Sequence, residues 1–220
     1  MRKVVILTAH PDDAVGGAGG TALLMRGKFE LHILCATRGE RGLRNVSMEE
    51  TAKIREAEER LCAEKLGAAG VTFLDRIDRE LLPDEATCRL TAELLTKLDP
   101  VALFTIWPID AHPDHSAISE IARKALFYSG LTPELWYMEE DIGSQTTRFI
   151  PDLYVDISPV IDEKIEAVRC HVCQNREDHM ALRTRERNRS RGTESKLQYA
   201  EGFKSPLPLT NHSRSILFEL

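Results

Sequence analysis

The chain has 220 residues, with 29 Lys and Arg against 35 Asp and Glu and a formal net charge of −6. That length suits one sizeable domain, read here as spanning residues 1–220, and the acidic balance argues against nucleic acid as a partner, which would require a net basic face. No run of roughly 18 apolar residues offers a membrane span, Met1-Arg2-Lys3 leaves no room for a signal peptide, and five scattered cysteines suit reduced thiols in a cytoplasm.

Residues 3–8 form a β-branched apolar run that reads as a buried strand. Gly16 to Gly20 reads as a flexible turn, with a helix from Thr21 to Lys28 after it, and Leu31 to Ala36 is a second strand. Arg38 to Asn45 is polar and holds two glycines, as a loop would. Met48 to Leu66 is a helix with Ile54, Ala57 and Leu61 on one face and Gly67 just past its end. Val71 to Leu74 is a third strand. A helix from about Asp84 to Leu98 should bury Leu90, Leu94 and Leu98. Leu103 to Ile106 is the next strand, and Ser116 to Phe127 the next helix, with Ile118, Ile121, Ala122 and Ala125 inward. Leu135 to Tyr137 and Leu153 to Ile157 are further strands. Ser158-Pro159 caps a helix with a stripe of Ile161, Ile165, Val168 and Val172. The polar segment from Gln174 to Lys196 carries no decisive periodicity. Alternating strands and helices predict an α/β fold, a three-layer α/β/α sandwich of Rossmann-like type around a mostly parallel sheet.

Chemistry concentrates in two places. His10-Pro11-Asp12-Asp13 follows the first strand, and His112-Pro113-Asp114-His115 follows the strand Leu103 to Ile106. Open parallel sheets bind ligands beyond the carboxyl ends of their strands, so two strands that deliver His and Asp there predict a shared site. Catalytic zinc keeps three protein ligands and one open position. His10, Asp13 and one of His112 and His115 supply that number. Asp12, beside a ligand, suits a general base. A protonated His112, with Asp114 holding its proton and raising its pKa, suits an oxyanion donor or acid. Two histidines and a carboxylate also suit ferrous iron.

Ala9-His10-Pro11-Asp12-Asp13 with its glycine-rich continuation, together with His112-Pro113-Asp114-His115, resembles the LmbE-like, or PIG-L, zinc N-deacetylases. Gly19-Gly20-Thr21, Thr37-Arg38-Gly39-Glu40, Arg55 with Glu58, Leu66-Gly67, Asp156-Ile157-Ser158, Lys164, His171 with Gln174, and Tyr199-Ala200-Glu201-Gly202-Phe203 extend the likeness along most of the chain. The resemblance implies zinc on His10, Asp13 and His115, Asp12 as base, His112 tuned by Asp114, and Arg55 as a substrate contact. It implies as substrate a small N-acetylated amino sugar or its conjugate. On the same scaffold, amidases on thiol conjugates and a hydratase of an unsaturated acid are the alternatives. Two departures stand out: Ala14 and Val15 occupy positions where the family pattern carries a glutamate, and no tyrosine lies between Leu103 and His112.

Three further signals compete. Gly17-Ala18-Gly19-Gly20-Thr21-Ala22 loosely fits a dinucleotide-binding loop, but it comes some nine residues after the strand, and no acid ends the second strand. Cys170-His171-Val172-Cys173 lacks a second cysteine pair and reads as packing. Arginines 183, 185, 187, 189 and 191 read as a solvated face. Substrate choice is expected in the loops Arg38 to Asn45, Ile77 to Asp84 and Glu139 to Pro151. The oligomeric state is left open.

Overall fold

The structure is a computed structural model that describes residues 1–140, 145–206 and 215–220. Its elements are β1 (Arg2–Thr8), α1 (Asp13–Met25), β2 (Phe29–Thr37), α2 (Met48–Leu66), β3 (Gly70–Arg76), α3 (Glu85–Leu98), β4 (Ala102–Ile106), α4 (Pro113–Ser129), β5 (Glu134–Met138), β6 (Leu153–Asp156), α5 (Ile161–Val168), α6 (His179–Ser195) and β7 (Ala200–Lys204). The seven strands form one sheet in the order β3-β2-β1-β4-β5-β7-β6. β1 to β5 pair in parallel, and β7 runs antiparallel to both of its neighbours. Val4, Val5, Ile6 and Leu7 are all buried, as expected of a central parallel strand covered on both faces. The α/β sandwich expected from the alternation is therefore present.

The glycine run is helical. α1 runs through residues 16–20, interrupted by a kink, and none of these glycines has a positive φ. They serve close packing instead: a Cβ on Gly17 would lie 2.6 Å from Met138 Sδ, and one on Gly20 would lie 2.6 Å from Ile157 Cγ2. α1 is kinked at Ala18 (φ −138°). There a buried ion pair takes up backbone groups of the opened turn. Lys164 Nζ donates to Gly16 O at 2.9 Å, Glu201 accepts from Gly20 N at 2.7 Å and Thr21 N at 2.8 Å, and the two side chains meet at 2.6 Å. This ties α5 and β7 to the first helix.

Helix α2 departs from its apolar pattern. Leu61 is half exposed, and the inward residues are Thr51, Arg55, Glu59, Cys62, Ala63 and Leu66. The helix faces a polar site as well as the core, so its stripe is mixed. On α3 the fully buried positions are Thr87, Cys88, Thr91, Ala92 and Leu95, while Leu90, Leu94 and Leu98 pack at the core's margin. α4 buries Ile118, Ile121, Ala122 and Ala125 as its periodicity predicts. Ile161, Ile165 and Val168 are inward on α5, whereas Val172 lies beyond its end and is exposed. The undecided polar segment holds α6, and its arginines are not all solvated: Arg187 and Arg191 are buried, the latter on both oxygens of Glu139 at 2.6 Å. All five cysteines are free thiols, four of them buried.

Candidate metal centre

Strand order reverses between β1 and β4: β2 and β3 lie to one side, β5 to the other. The loops leaving β1 and β4 therefore diverge and open a crevice at the strand ends. The first loop carries His10 to Asp13, the second His112 to His115. A cleft of about 460 Å³ occupies this place, lined by His10, Asp12, Asp13, His112 and His115 among others.

Donor groups of three residues converge in it. His10 Nδ1 and His115 Nε2 are 3.2 Å apart, His115 Nε2 is 3.4 Å from Asp13 Oδ1, and His10 Nδ1 is 3.7 Å from Asp13 Oδ2. Bonds of about 2.0–2.2 Å at tetrahedral angles put donor atoms roughly 3.3–3.6 Å apart, so the two ring nitrogens with either Asp13 or His112, whose nitrogen lies within 4.8 Å of theirs, could hold one divalent ion. Each histidine is held from behind. His10 Nε2 faces Asp114 Oδ2 at 3.1 Å and Asp78 Oδ1 at 3.3 Å, and His115 Nδ1 faces Asp110 Oδ1 at 3.1 Å. A carboxylate behind a metal-facing imidazole fixes its tautomer and strengthens it as a ligand.

The electrostatics point the same way. Burial opposes charge on His10, yet Asp114, Asp78 and Asp13 outweigh it and raise its pKa to about 9. Burial likewise opposes charge on His115, and Asp13 and Asp110 overcome it, to about 11. Asp13, despite its burial, is driven well below the carboxylate range by the two histidines. The carboxylates thus stabilise positive charge at this centre, which two protons or one divalent cation would supply. His10, Asp78, His112 and Asp114 also bring ligand atoms within 4.8 Å of one another. The carboxylates of that second set are engaged elsewhere: Asp114 accepts Arg79 N–H at 2.6 Å and Leu81 N–H at 3.3 Å, and Asp78 accepts Arg41 N–H at 3.1 Å. They support His10 rather than form a centre of their own.

Asp12 sits between the donors and α2. Its backbone is left-handed at φ 98°, a conformation that costs a residue with a Cβ about 1–3 kcal/mol unless its surroundings hold it. Arg55 donates to Asp12 Oδ2 at 3.0 Å, Pro11 O at 2.6 Å and Gly39 O at 3.1 Å. Burial raises the Asp12 carboxyl to about 6 against the pull of Arg55. Arg55 is itself 5% exposed, so it is neither an exposed helix arginine nor paired with Glu58, whose carboxylate accepts the Cys173 N–H. Its guanidinium holds the first loop and Gly39 of the loop after β2, and it also lines the cleft.

His112 caps α4, and its Nδ1 accepts the Asp114 N–H at 3.3 Å, so the neutral ring carries its proton on Nε2. Its nitrogen lies within 4.8 Å of those of His10 and His115. Asp114 pulls the His112 pKa upward as expected, but not strongly enough to prevail. The carboxylate turns to His10, and burial together with the His10 and His115 charges lowers the His112 pKa, leaving a neutral donor. Asp78, Asp110 and Glu59 escaped sequence reasoning. Asp78 and Glu59 lie on a loop and inside a helix with no motif around them, and only the pairing of distant elements brings them in, whereas Asp110 stands just before His112 on the same connection from β4. Of the loops expected to choose substrate, Arg38–Asn45 contributes Gly42 to the cleft, Ile77–Asp84 contributes Asp78 and Arg79, and the third contributes Glu140 and Gln145. Residues 141–144 of that third loop lie outside the described residues.

A doubly wound sheet whose two central strands each send histidine and aspartate into the switch-point crevice defines an α/β protein with a cleft whose His/Asp cluster could bind a metal ion. The chain belongs to the PIG-L family: residues 5–126 match the profile described as GlcNAc-PI de-N-acetylase. It is 31% identical over 192 residues to the diacetylchitobiose deacetylase of Thermococcus kodakarensis, covering 81% of this chain and 72% of that protein. It is 26% identical to the 4-oxalmesaconate hydratase of Pseudomonas putida, covering 94% and 90% of the two chains. The N,N'-diacetylchitobiose deacetylase structure from Pyrococcus horikoshii superposes with a TM-score of 0.82 at 26% identity, over 95% of this chain and 88% of that one.

Proposed function

We propose that this enzyme is a zinc-dependent hydrolase that removes the N-acetyl group from a small amino sugar or amino-sugar conjugate. The observation that carries the reading is the convergence of His10, Asp13 and His115, with Asp12 and His112 on the same cleft. A divalent ion on those three residues would polarise the amide carbonyl and acidify a water molecule. Asp12, anionic above about pH 6 and held by Arg55, takes the proton of the attacking water. His112 Nε2–H donates to the amide oxygen as charge develops there. The proton on Asp12 then passes to the departing amine. Asp114, Asp78 and Asp110 keep His10 and His115 oriented. Among the described residues no helix is long and apolar enough to cross a membrane.

The likeness to the hydratase of Pseudomonas putida supports a second reading, addition of water across a conjugated double bond at the same centre. Metal analysis joined to an acetate-release screen over N-acetyl amino sugars and their conjugates separates the two. The deacetylase gives one equivalent of zinc and acetate from at least one substrate. A chain that holds metal, releases no acetate and consumes an unsaturated dicarboxylate overturns it. Iron bound in place of zinc would correct the cofactor.

A further inference from the structure

Glu59 lies in the middle of α2 and is 1% exposed. Burying a carboxyl group is costly, and its contacts are not those of a structural salt bridge. Glu59 Oε2 accepts the Asp12 N–H at 3.1 Å and stands 3.5 Å from His171 Nε2, an approach rather than a hydrogen bond. The nearby guanidinium of Arg55 bonds Asp12, Pro11 and Gly39 instead. Glu59 and Arg55 are four residues apart, so one face of α2 presents both to the same loop. Asp12 is the residue of the His10–Asp13 segment with a positive φ. A side-chain-bearing residue keeps that conformation only where its surroundings over-determine it. Arg55 fixes the Asp12 carboxylate and the preceding carbonyl, and Glu59 fixes the remaining handle, the N–H.

We propose that Glu59 is a positioning residue for the base: by accepting the Asp12 N–H it holds the loop conformation that presents the Asp12 carboxylate beside His10, Asp13 and His115. This rests on the deacetylase reading above. The role needs an acceptor oxygen and no charge. Burial, only partly offset by the Asp12 N–H, raises the Glu59 carboxyl to about 8, so at neutral pH it accepts as a glutamine amide would. The carboxylate arrives from α2, while positions 14 and 15, in the first turn of α1, hold Ala14 and Val15.

The test compares wild type, Glu59→Gln and Glu59→Leu by acetate-release kinetics, by zinc content, and by amide hydrogen exchange at Asp12. Glu59→Leu should keep its zinc and hold KM within about twofold while kcat falls roughly 10- to 100-fold. Its Asp12 amide should exchange at least about tenfold faster. Glu59→Gln should recover most of the kcat and the slow exchange. Wild-type kcat or unchanged Asp12 exchange in Glu59→Leu overturns the proposal. So does a Glu59→Gln variant as impaired as Glu59→Leu, or loss of zinc in step with rate. If wild type releases no acetate from any substrate, the deacetylase reading fails, and the exchange measurement still decides what Glu59 does to the loop.

Discussion

Helices α2 and α4 both bury charged or polar residues against the same cleft, but at different places along their length. α4 delivers Asp114 and His115 in its first turn and then becomes an ordinary amphipathic helix, with Ile118, Ile121, Ala122 and Ala125 inward. α2 spends the middle of its inward stripe on Arg55 and Glu59, and leaves Leu61 half exposed. A helix that carries chemistry at its end keeps its apolar period, and one that carries it in the body does not. In the proposed mechanism the difference also divides the labour: α4 supplies a metal donor, and α2 supplies the groups that hold the base.

If that division holds, removing the donor should be the most damaging change. His115→Ala is expected to lose bound metal and to bring acetate release to background, measured by metal stoichiometry on the purified protein. A variant that still binds one equivalent would take His115 out of the donor set. Next comes Asp12→Ala, which should keep the metal and lower kcat about 10²–10⁴-fold, the range of a general base. An equal loss of metal there would erase the distinction between donor and base.

The α2 side of the comparison is tested by Arg55. Arg55→Leu leaves the Asp12 carboxylate uncompensated in a largely buried place, and breaking such a pair costs about 3–5 kcal/mol. We expect a lower unfolding midpoint and a kcat reduced about 10²-fold by a misplaced base, with metal content intact. Arg55→Lys keeps the charge without the fork that reaches Asp12, Pro11 and Gly39 together, so it should recover stability more than turnover. The matching change in the body of α4 is Ile121→Ala. That side chain is fully buried, so the expected cost is about 2–5 kcal/mol of stability with kcat per folded molecule unchanged. A drop in kcat there would mean that the body of α4 also shapes the site.

The same contrast explains what could be read from the chain. The parallel sheet and the two loops at its switch point were legible because His10, Asp13, His112 and His115 directly follow buried apolar strands. α4 was legible because nothing in its body disturbs the period of 3.6. The stripe of α2 was misplaced because Arg55 and Glu59 look like solvent-facing charges until the first loop is folded over them. Gly16 to Gly20 misled for a related reason: glycine signals a turn by its conformational freedom, and here it is used for lack of a side chain against Met138 and Ile157. Asp78 had no local signature, since it acts through His10 on another strand's loop, and Asp110, on the same connection as His112 and His115, stands just outside their motif.

The smallest effect sharpens the α2 side further. His171, buried beside Glu59, has its pKa pushed down to about 3 by burial and by the charge of Arg55. An unfolded histidine titrates near 6.5, so between about pH 3 and 6.5 the unfolded chain binds the extra proton. Stability from this group is therefore full above pH 6.5 and falls as the pH drops, by about 1.4 kcal/mol per pH unit. Glu59 works in the opposite sense, since its raised pKa makes the folded state bind more protons above its ordinary value. The two effects oppose each other through the weakly acidic range, and raw stability curves would hide both. The difference between wild type and His171→Gln isolates the histidine. Chemical denaturation at several pH values from 4.5 to 6.5 should show wild type losing ground to the variant by about 1.4 kcal/mol for each unit of acidification. A difference that stays flat across that range would mean His171 is not held neutral, and that the polar interior of α2 is wetter than its packing implies.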